Sequence, residues 1–323
     1  MQVFDMRRPA SDALVVIVGG SGFIGRYLVQ ELARTDVRIR IVVRNAVAAL
    51  FLKPLGKLGQ IDIVSGDVTS PASLARAFHD ATMGVNLVGI LDESGQLFDR
   101  VQHLGAAAVA QAAADAGVEG FVHVSAIGAS SESPSHYARS KGAGEAAVRA
   151  LLPHASILRP SVVFGPEDGF LNRFAGLARS VPAVVPVIAG ETRLQPVYVH
   201  DVALAIVAAL GDVKKFGGKT FELGGPRVYT MRALIDWIVR EVRVDKPLFD
   251  MPPAMAKALA KLGNVLPGAP LTYDQWLMLQ VDNVAQAPGL AELGIDAVPL
   301  EAIAPGYLER FRSAGRFHRD RAA

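Results

Sequence analysis

Three glycines, Gly19, Gly22 and Gly25, stand three residues apart in Val16-Ile17-Val18-Gly19-Gly20-Ser21-Gly22-Phe23-Ile24-Gly25, behind an apolar run and ahead of a helical pattern. A strand feeding such a turn and then a helix offers unpaired N–H groups and the positive helix end to an anion, the arrangement that receives a dinucleotide pyrophosphate. Gly19 is expected to make the turn, Gly22 to admit the phosphate and Gly25 to let the helix lie close to the strand, with Ser21, Phe23 and Ile24 in the same turn. A merely tight strand–helix turn is the plainer alternative. Where an NAD-specific site carries an acid about 20 residues further on, this chain has Arg44, at the end of Ile41-Val42-Val43. A guanidinium there grips a 2′-phosphate in a bidentate way, so the expected cofactor is NADP(H) in preference to NAD(H). A solvated arginine at a strand end is the alternative.

A second constellation lies further along. Ser125 closes the run His123-Val124, and Tyr137-Ala138-Arg139-Ser140-Lys141 follows twelve residues later. Positions i and i+4 share a helix face, which brings Lys141 under Tyr137. An ammonium there should lower the phenol pKa, so that Tyr137 trades a proton with a carbinol while Ser125 holds the carbonyl oxygen. Lys141 could also bind the nicotinamide ribose. Between the two constellations, Asp67 is placed either for an adenine edge or to cap the helix that starts near Pro71, and Asn86 closes a strand beside the expected ribose. Val68, Leu87, Val88, Gly89, Pro160 and Val163 complete the expected cofactor-binding set, which shares Tyr137 and Lys141 with the chemistry. His200 and Asp201 invite a metal or acid/base reading, but Asp201 sits where a helix N-cap is needed and no further ligand has metal spacing, so no metal site is expected.

These residues need a scaffold, and up to about residue 160 the chain alternates short β-branched runs with helical stretches, the pattern of a parallel sheet covered by helices. Strands are expected at 14–18, 38–43, 60–64, 84–87, 120–124 and 156–158, with helices near 24–33, 46–55, 71–79, 98–116 and 134–151. This is an α/β fold with a doubly wound Rossmann sheet. The Ala-rich stretch 105–117 reads as a small-residue face packed on that sheet. Beyond Pro160 frequent prolines break the chain into short pieces, so a smaller, discontinuous C-terminal α/β lobe is expected. The dinucleotide-binding domain is placed at 13–164, with 194–223 returning to it through strands at 196–199 and 220–223. The lobe takes 165–193 and 224–323. Trp237 reads as core, and Trp276 as core, lipid contact or partner contact.

Composition sets the outer limits. The 323 residues allow about two folding units. With 51% apolar and 20% charged residues the chain is too apolar for disorder, and a net charge of +2 is too balanced for a general nucleic-acid binder. There is no cysteine, so thiolate metal sites, disulfides and cysteine nucleophiles are excluded and any redox chemistry has to be carried by a bound cofactor. Mean hydropathy is +0.30, yet no stretch approaches the roughly 20 apolar residues of a spanning helix. No secretory signal is read at the start, and a cytoplasmic location is expected. Charge is unevenly placed, because from Tyr307 onward Arg310, Arg312, Arg316, Arg319 and Arg321 face only Glu309 and Asp320. That tail reads as a solvated terminus or as a contact with acidic lipid or a partner, which would hold the protein on the inner face of the cytoplasmic membrane.

Taken together, the glycine turn, Tyr137 to Lys141, Leu158-Arg159-Pro160-Ser161-Val162-Val163-Phe164-Gly165 and Gln195-Pro196-Val197-Tyr198-Val199-His200-Asp201-Val202 resemble the short-chain dehydrogenase/reductase superfamily. Gly25-Arg26-Tyr27-Leu28-Val29, Asn86-Leu87-Val88-Gly89, Ala116-Gly117-Val118-Glu119, Ala138-Arg139-Ser140-Lys141, Phe164-Gly165-Pro166-Glu167-Asp168-Gly169-Phe170-Leu171-Asn172 and Leu290-Ala291-Glu292-Leu293-Gly294-Ile295 resemble a narrower group. It is the nucleotide-binding accessory subunits of respiratory complex I, of the thirty-nine-kilodalton type, with their bacterial relatives. The resemblance runs over about residues 13 to 310. It implies tightly held NADPH in an atypical reductase fold, docking beside the quinone-reactive part of complex I, and no established turnover. A similar branch is linked to ubiquinone biosynthesis, so complex I or quinone-biosynthesis proteins are the expected partners. The alternative is a free oxidoreductase or epimerase/dehydratase acting on a small carbonyl or nucleotide-sugar-like substrate through Ser125, Tyr137 and Lys141. His200 departs from the aliphatic residue expected of the family and receives no role.

Overall fold

Runs of β-branched residues with both faces covered form parallel strands, and here they assemble a seven-stranded parallel sheet. The computed structural model describes residues 13–93, 95–263 and 271–313. In chain order the elements are β1 (Leu14–Val18), α1 (Phe23–Ala33), β2 (Arg38–Val43), a 3₁₀ segment (Val47–Leu55), β3 (Ile61–Ser65), α2 (Pro71–Phe78), β4 (Met83–Asn86), a π-helical segment (Asp99–Leu104), α3 (Gly105–Asp115), β5 (Gly120–Val124), α4 (His136–Leu151) and β6 (Ser156–Pro160). Next come β7 (Val163–Phe164), α5 (Leu171–Ser180), β8 (Val185–Val187), β9 (Arg193–Leu194), β10 (Val197–Tyr198), α6 (Val199–Gly211), α7 (Val213–Phe216) and β11 (Thr220–Leu223). The chain continues through β12 (Tyr229–Thr230), α8 (Met231–Glu241), β13 (Leu248–Asp250), α9 (Pro253–Gly263), α10 (Tyr273–Met278), α11 (Gly289–Glu292) and α12 (Leu300–Leu308).

Contacts divide the described chain into two units, 13–160 with 199–223 and 286–296, and 161–198 with 224–285 and 297–313. The division therefore falls after 160 rather than 164. The first return begins at 199 rather than 194, and 286–296 makes a second return.

In the first unit the strand order is β11-β6-β5-β4-β1-β2-β3. The order reverses beside β1, between β4 and β2, and a crevice at such a switch point is where open α/β sheets bind ligands. One face is covered by α2, α3 and α4, whose Phe78, Val109, Ala110, Ala113 and Val148 pack on Val16, Val18, Val42 and Phe121 of the strands. The Ala-rich α3 thus lies on the sheet and its neighbouring helices. On the other face α1 lies against α6, and Leu28, Val29 and Leu32 of α1 are fully buried. Buried aliphatic area of this kind stabilises at about 25 cal/mol per Å².

Several sequence expectations are corrected. The segment near 46–55 is a nine-residue 3₁₀ run rather than an α-helix, with Pro54 inside it and Ala48 N donating to Asn45 Oδ1 (3.0 Å) at its start. Its period of three explains why Ala49 and Leu52 are its two buried residues. The helix expected over 98–116 opens as the π-helical segment and becomes α-helical only from Gly105. Of the two strands expected to return to the main sheet, Thr220–Leu223 does so, beside β6, but Val197–Tyr198 pairs with β7 in a sheet of two strands. The open edge of β6 is taken by β11, which leaves β10 no place there. Asp201 is buried within the first turn of α6, which starts at Val199, so it is not the N-cap.

The second unit holds the two-stranded sheets β10–β7, β12–β9 and β13–β8 and a core in which Leu171 and Ala175 of α5 meet Ile235 and Ile238 of α8 and Leu300 and Ala304 of α12. Trp237 packs partly buried against that core, and Trp276 stacks on Tyr273 with ring centroids 5.5 Å apart. Arg312 pairs with Glu241, and Arg310 bonds Pro166 O and Asn172, so both described tail arginines are engaged within this unit. Arg316, Arg319 and Arg321 lie outside the described residues. Among the described residues no helix is long and apolar enough to cross a membrane.

Candidate functional site

The turn after β1 is shaped by backbone demands that only glycine meets. Gly19 has φ +85°, the left-handed region, and its N–H donates to Val42 O of β2 (2.9 Å). A Cβ on Gly25 would lie 2.5 Å from Gly20 O, so α1 crosses the turn at backbone contact. Gly22 is the N-cap of α1, its N–H held by Gly19 O (3.1 Å), and no side chain caps the helix. An uncapped helix start, with three N–H groups and the positive dipole end directed at a glycine turn, suits a phosphate. Ser21, Phe23 and Ile24 line this turn at its exposed or half-buried surface.

Arg44 follows β2 and is exposed, its guanidinium reaching Gln96 at 3.4 Å. Asp67, after β3, accepts from Thr69 N (2.8 Å) and Thr69 Oγ1 (2.7 Å). Those hydrogen bonds, with help from the Arg44 and Arg100 charges, hold its carboxyl below the usual range. The capping alternative for Asp67 is overturned, because its carboxylate serves the loop before α2 and Ser70 is that helix's N-cap. Val68 is buried beneath it.

Around β4, β5 and α4 the polar groups are enclosed. Asn86 is buried and takes Val88 N on its Oδ1 (3.1 Å) while its amide donates to His123 Nδ1 (3.2 Å), which fixes the imidazole with its proton on Nε2. Burial, reinforced by the Lys141 charge, pushes His123 down to about 3, so it stays neutral. Lys141 is buried with Nζ 3.4 Å from Val124 O. Burial lowers its pKa to about 8 against the opposing pull of Glu145. Glu145 in turn receives Arg159 in bidentate fashion, at 2.8 and 2.6 Å. Lys141 Nζ stands beside Gly89, where an added Cβ would come within 3.0 Å of it. Leu87 and Val88 run past the turn, Val88 within 3.1 Å of the place a Cβ on Gly19 would take.

Ser125 is buried after β5, and its Oγ has no partner in the structure. Tyr137 and Lys141 share the α4 face as expected, Nζ standing 6.0 Å from the phenol ring centroid. The expected consequence fails, however. Desolvation raises the Tyr137 pKa to about 12. Pro160 is buried at the end of β6 in this unit, whereas Val163 is on β7 in the second unit. His200 meets Glu31 of α1 (2.8 Å), a helix-to-helix contact away from this set.

Sequence reasoning missed Gln102 and Phe98. Gln102 is buried on the π-helical segment, its amide donating to Ser140 Oγ (3.0 Å) while Oε1 has no partner in the structure and faces Gly89. Phe98 packs edge-on against Tyr137, with centroids 5.6 Å apart. A polar residue on the inward face of an apolar helix was the available signal, but the π turn shifts that face. The orphaned buried oxygen of Gln102 by Gly89, together with the uncapped glycine turn, fits a polar ligand running from the turn towards α4, and the orphaned Ser125 Oγ fits a separate polar group.

The sequence pattern of the NAD dependent epimerase/dehydratase family matches residues 15–224. The chain is 34% identical over 312 residues to "NADH dehydrogenase [ubiquinone] 1 alpha subcomplex subunit 9, mitochondrial" of Mus musculus, covering 95% of this chain and 82% of that protein. It is 38% identical over 203 residues to the ceramide reductase of Caulobacter vibrioides, 62% of either chain. Among solved structures, the Citrobacter sp. triphenylmethane reductase complexed with NADP(H) superposes with a TM-score of 0.71 at 21% identity, covering 91% of this chain and 99% of that one.

Proposed function

The chain belongs to the NAD dependent epimerase/dehydratase family, and from that premise we propose that it holds NADP(H) as a retained cofactor while associated peripherally with a quinone-linked membrane complex of the complex I kind. The observation that carries this reading is the pairing of an uncapped α1 start, built on Gly19, Gly22 and Gly25, with Arg44 on the neighbouring strand end. The N–H groups of the turn would receive the pyrophosphate. Arg44 would meet a 2′-phosphate with two parallel charge-assisted bonds, a contact that an NADH ribose does not supply. Asp67 and Val68 would border the adenine, and Asn86 through Gly89 the ribose on the nicotinamide side, where Lys141 would donate to its hydroxyls. Pro160, buried at the end of β6, completes the proposed set within the first unit.

When bound, the cofactor supplies hydride chemistry. Ser125 would hold a carbonyl oxygen and Tyr137 would supply its proton, although desolvation holds that phenol above its ordinary value. The name of the mammalian relative supports complex I as the partner, and the balanced charge argues against nucleic acid.

The test is to purify the chain, denature it and read the released nucleotide and its redox form, with native membranes fractionated in parallel. Stoichiometric NADPH and co-migration with complex I are expected. Rapid exchange with free nucleotide, or absence from both complex I and quinone-synthesis fractions, overturns the reading.

A further inference from the structure

We propose that the outward side of the 3₁₀ segment Val47–Leu55, continued by Leu58, is a docking surface for an anionic lipid bilayer. A surface helix ordinarily turns polar residues to water. This segment does the reverse. Ala49 and Leu52, three residues apart, anchor it to the first unit, while Leu58 is fully exposed and Val47 (76%), Leu50 (52%), Phe51 (50%) and Leu55 are turned outward. In a helix of three residues per turn, Val47, Leu50 and Lys53 fall on one line and Ala48, Phe51 and Pro54 on the next, so the outward rows are apolar with a cation at the end.

Charge selects the occupant. From Val37 to Ile61 there is no acidic residue, and the segment carries Lys53 and Lys57 beside its leucines. Lys53 donates to Ile61 O, and Lys57 pairs with Asp36 at 2.7 Å, an exposed contact of the weak kind. Arg26 stacks on Phe51, its guanidinium 5.2 Å from the ring centroid. Exposed large apolar side chains interleaved with lysines are the pattern of elements that lie in a headgroup interface, where each basic residue adds attraction to anionic lipid. A second copy of the chain on this face would set like charges against each other across a two-fold axis. The segment is already folded and pinned, so docking carries no cost of ordering it. The choice of a bilayer rests on the membrane-side placement proposed above, and not on the cofactor.

The test uses the full chain with vesicles of phosphatidylcholine alone and of phosphatidylcholine with one third phosphatidylglycerol. Co-sedimentation is expected with the anionic vesicles, falling as salt is raised. The double variant Leu50→Asp, Leu58→Asp, both positions exposed and outside the proposed cofactor set, should lose about tenfold or more in partitioning while melting like the parent. NADP(H) retention by that variant is read in the same experiment, so the cofactor reading stands or falls separately. No binding of the parent chain to anionic vesicles, or equal binding by parent and variant, as a tail-borne contact would give, overturns the proposal. A dimeric parent that becomes monomeric in the variant overturns it in favour of self-association.

Discussion

The turn after β1 and the buried polar cluster beside α4 are built from opposite materials. The first is backbone, with Gly19 in the left-handed region, α1 touching the turn at Gly25 and no side chain at the helix start. The second is side chain, with Asn86, Gln102, His123, Ser125, Lys141 and Glu145 all buried. A backbone turn has no proton to lose, so pH leaves its N–H groups unchanged. A side-chain cluster inherits whatever burial does to each group, and here burial pushes Lys141 down, His123 down and Tyr137 up. Two sites on one sheet therefore respond to different perturbations.

The largest contrast is expected from Gly25→Val. Its side chain would overlap Gly20 O, the helix would have to retreat, and stability should fall by about 3 kcal/mol with nucleotide retention lost altogether. A melting curve and the released-nucleotide assay read both effects, and full retention would show that the turn is not the phosphate site. Next comes pH. Lys141 titrates near 8 in the fold against an ordinary 10.5, so between those values the unfolded chain binds more protons and stability rises with pH, by about 3 kcal/mol over the window. Denaturation of nucleotide-free protein at pH 8, 9 and 10 should show the rise and Lys141→Met should flatten it. An unchanged slope in that variant would place the charge elsewhere.

His123, depressed to about 3 from 6.5, works the acid side in the same sense, since the stability of its neutral form is lost as pH falls below 6.5. His123→Gln should lessen that acid loss in the same measurement. Arg44→Asp should then lower the NADPH-to-NADH affinity ratio by tenfold to about a hundredfold, the range of one charge-assisted contact, while leaving the pH slope of the cluster beside α4 alone. Titration with both nucleotides checks it, and an unchanged ratio would leave Arg44 a solvated strand end. The smallest effect belongs to Ser125→Ala. Removing a hydroxyl that has no partner should shift stability by less than about 1 kcal/mol and leave retention intact. A fall in retention would move Ser125 into the cofactor cradle.

Much of this was legible in the residues because it depends on local rules. Glycine at three-residue spacing after an apolar run, Arg44 at the next strand end and the i,i+4 pair of Tyr137 and Lys141 each follow from chain geometry over a few bonds. The strands that form the core of the sheet follow from their β-branched runs. What escaped depended on distant partners. Val197–Tyr198 pairs with β7 while β11 occupies the edge of β6, and the π turn at Asp99–Leu104 changed which residues of that helix face inward.

By itself the sequence determined the fold class, the glycine turn after β1 and the absence of cysteine, since backbone freedom, periodicity and composition are properties of the chain. Only the tertiary structure decided the state of the polar cluster beside α4. The spacing of Tyr137 and Lys141 predicts an acidified phenol, but desolvation of a half-buried phenol and a buried ammonium raises one pKa and lowers the other. Desolvation is set by everything packed around a side chain, and no spacing along the chain encodes it.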